Sequence, residues 1–281
     1  MRKTFLFLWV GILLAIMPAA AMAMSYDYVI AFGDSLSDNQ NVPGAPVTDD
    51  DVWVQYLADD LDAELINNAY AGATAAPNFE LPPSLFAQTF SFVVQSGGLV
   101  WPDALACMYD NALYTVWAGG NDLLAIDMNN PGSASSVIDR AVQSIGLSTA
   151  MLAYAGAQDI MVLNMPDFGL IPAFYGTDDA PAATYLSMVF NQELKNMLGL
   201  LDGYFDINLM YVDVFSLLHE YDEATVQSFF YDAIHPNSIG HHKIANLALS
   251  QAAPVPEPST MILLGLGLIG LAGYSRKQFK R

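Results

Sequence analysis

Residues of the right type for acyl transfer stand where apolar segments of this chain end. Phe32-Gly33-Asp34-Ser35-Leu36-Ser37-Asp38-Asn39 closes the β-branched and aromatic stretch 28–32. Asn68-Ala69-Tyr70-Ala71-Gly72-Ala73-Thr74 follows 64–67, and Gly119-Gly120-Asn121-Asp122 follows 112–117. Near the other end, Asp232-Ala233-Ile234-His235-Pro236-Asn237 sets a carboxylate and an imidazole three residues apart. Acyl transfer needs a nucleophile, a base, a group that orients the base, and donors for a developing oxyanion. Ser35, His235, Asp232, the Gly72 backbone and the Asn121 amide fill these requirements. Taken alone, Ser35 reads equally well as a helix N-cap. Asp232 is the less certain partner, because a carbonyl could orient the imidazole instead.

The elements that must position these groups alternate along the chain. Strands are expected at 28–32, 64–67, 112–117, 160–164 and 208–212, and helices at 52–60, 135–154, 182–204 and 238–249, with a further one near 85–95 after a loop. The third and fourth strands are almost continuously apolar, as strands covered on both faces are. Trp53, Tyr56 and Leu57 give the first helix an apolar stripe at i, i+3, i+4 spacing. No internal repeat or Gly/Pro/Ser linker interrupts 25–253, so one α/β domain with a mostly parallel sheet is expected. In such sheets ligands bind at the carboxyl ends of the strands, where all four polar blocks fall.

With the blocks in this order, the chain resembles the GDSL esterases and lipases of the SGNH hydrolase superfamily. The resemblance runs through Gly33–Asp38, Asn-x-Ala-x-x-Gly-Ala-Thr, Gly-Gly-Asn-Asp and Asp-x-x-His-Pro-Asn, with the asparagine of the second block at Asn67 or Asn68. Leu163-Asn164-Met165-Pro166-Asp167-Phe168-Gly169 is similar to a further stretch of the family. The resemblance implies a flavodoxin-like three-layer α/β/α sandwich with a five-stranded sheet ordered 2-1-3-4-5, the SGNH hydrolase fold. It implies Ser35 as nucleophile, His235 as base, Asp232 as the orienter of His235, and an oxyanion hole made of Ser35 N–H, Gly72 N–H and the Asn121 side chain, with no metal or cofactor. One departure stands out: family members often continue Asp-x-Gly-Asn, whereas Asp38-Asn39-Gln40-Asn41 lacks the glycine. No Gly-x-Ser-x-Gly is present, so an α/β-hydrolase elbow is not expected. The expected substrate is a carboxylic ester: a small-molecule ester, an acyl lipid or an O-acyl carbohydrate. The aromatic-rich stretch 174–190 is a candidate wall for an acyl pocket, although core packing explains such residues as well. The alternative is a non-catalytic surface or matrix-associated protein on the same scaffold.

The two ends read as processing segments. Arg2 and Lys3, an apolar run from Phe5 to Met17 and Ala21-Met22-Ala23 follow the plan of a secretory signal peptide over 1–23; an uncleaved anchor is the competing reading. At the other end, Val255-Pro256-Glu257-Pro258 precedes an apolar run from Met261 to Gly273 and a basic close. This segment, 254–281, resembles the PEP-CTERM sorting signal, which implies an exosortase-type processing enzyme and a Gram-negative host making exopolysaccharide. A plain membrane anchor is the competing reading. Export to the periplasm, cell surface or extracellular matrix is expected, with membrane contact only through the terminal segments. The domain expected between them, 24–253, carries 28 acidic side chains against Arg140, Lys195 and Lys243, a formal net of −25. Such a body repels nucleic acid, so no nucleic-acid partner is expected. The single Cys107, in an apolar setting, is expected to be buried and inert. His219, His241 and His242 are expected at the surface or partly buried in structural roles, Arg140 and Lys195 on solvated helix faces, and 48–51 in a solvated turn at a helix N-terminus.

Overall fold

The computed structural model describes residues 26–42, 47–77, 82–127 and 131–252; the expected processing segments 1–23 and 254–281 lie outside them. Ser25–Ala252 forms one compact unit. Its five strands are β1 (Tyr28–Gly33), β2 (Glu64–Asn67), β3 (Ala112–Trp117), β4 (Asp159–Leu163) and β5 (Asn208–Val212). They pair in the order β2-β1-β3-β4-β5, every pair parallel, which is the expected order. All six residues of β3 are buried, which explains why its sequence lacks the alternation of a half-exposed strand.

The helices among the described residues are α1 (Trp53–Asp60), α2 (Leu85–Gln95), α3 (Ala104–Met108), α4 (Gly120–Leu124), α5 (Ala134–Tyr154), α6 (Ala180–Asp202), α7 (Val214–Leu218), α8 (Glu223–Gln227) and α9 (Ser238–Ala252). Helices α1 and α9 pack together, while α2 packs on α5 and α5 on α6, giving the two outer layers of the sandwich. Trp53 and Trp117 meet edge to face at 5.8 Å in the core. Their indole N–H groups donate to Ser37 Oγ and the Asn164 carbonyl, so both rings are buried without an orphaned donor.

Three expectations need correction. Ser35 does not open a helix: the Asp34 carbonyl accepts from Ser37 N and Asp38 N in a single turn, and the next helix begins only at Trp53. Cys107 is exposed, because the short α3 turns only Ala104 and Leu105 inward. His241 is fully buried, where it caps the start of α1 by accepting the Trp53 N–H on Nδ1 at 3.2 Å. Arg140 and Lys195 are exposed, and His242 stacks on Tyr56 with ring centroids 3.6 Å apart.

Candidate active site

Gly33 ends β1 under tight constraint. A Cβ there would stand 2.1 Å from the Trp117 carbonyl oxygen, so only glycine lets β1 run this close to β3. The Gln88 side chain then grips Gly33 from α2, accepting its N–H at 2.9 Å and donating to its carbonyl at 2.8 Å. The turn that follows leaves Ser35 partly exposed while Asp34, Ser37 and Asp38 are buried.

Each buried group fastens a neighbouring loop. Asp38 accepts from Asn41 N, Val42 N and Ala71 N, the last at 2.7 Å, and so ties the Ser35 turn to the loop that holds Gly72. Asn67 donates to the Ser37 carbonyl and accepts from Ala69 N, whereas Asn68 Nδ2 finds no partner among the described residues. Asn67 is therefore the clamping asparagine of the second block. Asn41 reaches the same loop, donating to the carbonyls of Asn67 and Ala69. Beside it Gln40 takes the left-handed φ of 86°, at the position where the family pattern has glycine.

The opposite rim is a loop closed on itself. Tyr231 N donates to the His235 carbonyl, Asn237 N to the Phe229 carbonyl, and Phe230 and Pro236 form an antiparallel bridge. Pro236 disfavours helical backbone at His235, which helps hold the tip open. Asp232 Oδ1 accepts the backbone N–H groups of Ile234 and His235, and Oδ2 lies 2.7 Å from His235 Nδ1. Partial burial works against the charged form of Asp232, but the bonds from the His235 ring and these two N–H groups outweigh it and hold its pKa below the usual range. An ionised carboxylate can only accept, so Nδ1 carries the proton and Nε2 is left as an acceptor. Ser35 Oγ stands 2.9 Å from that Nε2, 200 residues away in sequence. The hydroxyl can pass its proton to His235 as it attacks a carbonyl, with Asp232 stabilising the resulting imidazolium.

Asn121, on α4, lines the same cleft as Ser35 and His235. Its Nδ2 donates one hydrogen to the Ala73 carbonyl at 2.8 Å, which leaves the second free for a ligand. Gly72 is exposed on the adjoining loop with φ of 81°, a conformation that glycine favours. Asp122 turns the other way and accepts from Ala75 N and Ala76 N; burial raises its pKa. Burial also pushes Asp34 up to about 7; Leu36 N–H opposes the rise, and the nearby Asp122 adds to it.

The cleft itself holds about 50 Å³ and is mostly apolar, walled by Trp117, Phe168, Val214, Leu218, Phe230 and Ile244 among others. The stretch 174–190 does not contribute. Phe174 stacks behind Phe168, and Phe190 is buried in the core. Two walls of the cavity are joined from outside: His219 Nε2 lies 3.0 Å from Asp167 Oδ2, beside Leu218 and Phe168. Among the described residues no group of three or more His, Cys, Asp or Glu side chains is placed to hold a metal ion. Sequence reasoning missed Gln88 and the clamping roles of Asp38 and Asn41, although both of the latter stand in the Asp-x-Gly-Asn pattern that follows Ser35.

Residues 29–248 match the model of the GDSL-like lipase/acylhydrolase family, and 254–277 match the PEP-CTERM protein-sorting motif. The chain belongs to the GDSL-like lipase/acylhydrolase family. Its tail motif points to export. Similar curated proteins include Lipase 1 of Photorhabdus luminescens, 28% identical over 184 residues that cover 61% of this chain and 27% of that protein. An acetylesterase of Thermothelomyces thermophilus is 28% identical over 183 residues, covering 56% of this chain and 59% of that one. The chain thus spans less than two thirds of the length of these curated relatives. An acetyl xylan esterase of Geobacillus stearothermophilus has a similar fold, with a TM-score of 0.53 at 14% identity over 81% of this chain and 95% of that one.

Proposed function

We propose that this chain is an exported serine ester hydrolase that works through an acyl-Ser35 intermediate. His235 takes the Ser35 proton and later returns it to the leaving alcohol, Asp232 fixes the His235 tautomer, and Ser35 N–H, Gly72 N–H and Asn121 Nδ2 receive the oxyanion. The observation that carries the reading is the unbroken chain Asp232–His235–Ser35, at 2.7 and 2.9 Å, opening on an apolar cavity.

The cavity also limits the acyl group. A single water needs roughly 10–15 Å³ on this measure, so about 50 Å³ takes only a few carbons beyond the carbonyl. Acetyl to butanoyl esters fit, and a long lipid chain does not. This agrees with the name of the acetylesterase relative more closely than with that of the lipase. Ser35 is itself partly exposed, which leaves room for a bulky alcohol, so an O-acyl carbohydrate is the favoured natural substrate. Residues 1–23 act as the export signal, and 254–281 is handled by an exosortase-type enzyme, which delivers the domain to the periplasm, cell surface or matrix.

A chain-length series of p-nitrophenyl esters with the full chain tests this. Acetate to butanoate should turn over, with kcat/KM falling steeply from hexanoate onward. The Ser35→Ala variant should be inactive yet folded. An inert wild type or a preference for long chains would overturn the reading.

A further inference from the structure

The two ends of the sheet have opposite surfaces. The carboxyl ends of the strands carry the cleft. At the amino ends, the lower turns of three adjacent helices (α2, α5 and α6) and the segment after α2 expose large apolar side chains. Val100 is 91% exposed and Trp101 64% in the segment after α2; Tyr204, just past α6, is 82% exposed and Leu200 71%. Leu99, Met108 and Tyr154 add to the same end. The segment is held there by Leu105 N donating to the Ala155 carbonyl and by Gly156 packing against Asp103, next to the start of β4.

The last described residue, Ala252, leaves from this end as well. Helix α9 starts at the cleft end, where Asp49 accepts the Ser238 N–H, and passes the start of α1 at His241. Its 15 residues from Ser238 to Ala252 span roughly 22 Å. Eight residues separate Ala252 from Met261, where the apolar part of the tail begins. Fully extended, eight residues reach roughly 30 Å. A tail seated in a bilayer therefore tethers the domain by its apolar end, within reach of that bilayer, and contact of that end with lipid is what would set the direction of the cleft.

We propose that this basal apolar surface, centred on Leu99, Val100 and Trp101, docks on the lipid bilayer that holds the tail and so turns the cleft outward. Tethering raises the local concentration enough for a weak contact to count. Trp and aliphatic side chains at a loop tip suit the headgroup boundary. Charge does not assist: Asp62, Asp103, Asp110, Asp202 and Asp206 stand around the same end, so the contact is apolar and opposed by anionic lipid. The domain then takes its esters from the space beyond the membrane, not from the membrane's own lipids.

The full chain, reconstituted in phosphatidylcholine vesicles with or without brominated acyl chains, tests this through tryptophan emission. Subtracting the Trp101→Phe protein removes the signal of Trp9, Trp53 and Trp117. The Trp101 signal should be quenched by brominated lipid. Quenching should be lost in Val100→Asp, with unchanged turnover of a water-soluble ester, and should weaken as phosphatidylglycerol replaces phosphatidylcholine at low salt. Absence of quenching would overturn the proposal. So would quenching untouched by Val100→Asp, which would mean that the tether alone sets the distance, or contact that needs anionic lipid. Trp101 shielded from lipid in a particle of twice the chain mass would overturn it in favour of a second copy.

Discussion

His235 and His241 lie six residues apart, yet they belong to regions with different jobs. His235 sits on the cleft rim, where Asp232 engages one ring nitrogen and Ser35 the other. His241 sits in the seam between α9 and α1, fully buried, with Nδ1 accepting from Trp53 N and Nε2 without a protein partner among the described residues. On the rim Asp232 holds the Nδ1 proton in place, so that Nε2 is free to exchange a proton with Ser35. In the seam, burial, with His235 nearby adding to it, pushes His241 down to about 3 and keeps it neutral. The same side chain is thus a proton carrier in one region and a neutral packing and capping group in the other. Substitutions on the rim should cost activity, and those in the seam stability.

The largest effect is expected from His235→Ala, which should lower kcat by about 10⁴-fold or more while leaving the unfolding midpoint nearly unchanged. A loss below tenfold would break the assignment of the rim. Next, Asn121→Ala removes the amide that faces the cleft and should cost about 10²–10³ in kcat, read with p-nitrophenyl acetate.

The seam is sharpened by pH. Folded His241 stays neutral down to about 3, while its unfolded form takes up a proton below the ordinary histidine value of 6.5. The unfolded state then binds more protons, so this stability is present above pH 6.5 and is lost as pH falls through the window toward 3. His241→Asn keeps an acceptor for Trp53 N–H but cannot titrate. Urea unfolding between pH 6.5 and 4.5 should show wild type losing up to about 1.4 kcal/mol per pH unit relative to this variant. Parallel curves would contradict the burial argument. Asp34 carries the opposite sign. Raised from 3.8 to about 7, it contributes stability at acid pH that is lost as pH rises through that window.

The smallest effect returns to the rim. Gln40 holds a left-handed φ that costs a non-glycine residue roughly 1–2 kcal/mol, part of which glycine gives back through its freer unfolded chain. Gln40→Gly should raise stability by about 0.5–1 kcal/mol with activity intact, as read by chemical denaturation.

These residues also mark how far the sequence could be read. Strands β3 and β4 were legible because buried parallel strands are near-continuous apolar runs, and β2, β3 and β5 fall where expected even though β2 has no fully buried residue. Helices α3, α4, α7 and α8 have five residues each, too few to show a period of 3.6. The ordered blocks led to Ser35, Asn121, Asp232 and His235, which the fold gathers at one cleft. The clamps did not announce themselves, because each partner is remote: Gln88 grips Gly33 from 55 residues away, and His241 reaches Trp53 across 188. Position alone left Asn67 and Asn68 equivalent, and only the carbonyl of Ser37 distinguishes them.

The central claim is that Ser35 becomes covalently acylated, and intact-mass spectrometry of the full chain after a fluorophosphonate tests it most directly. The account predicts a single adduct, mapped by peptide digestion to Ser35 and missing in Ser35→Ala. No adduct on folded wild type, or an adduct that persists in Ser35→Ala, would contradict it.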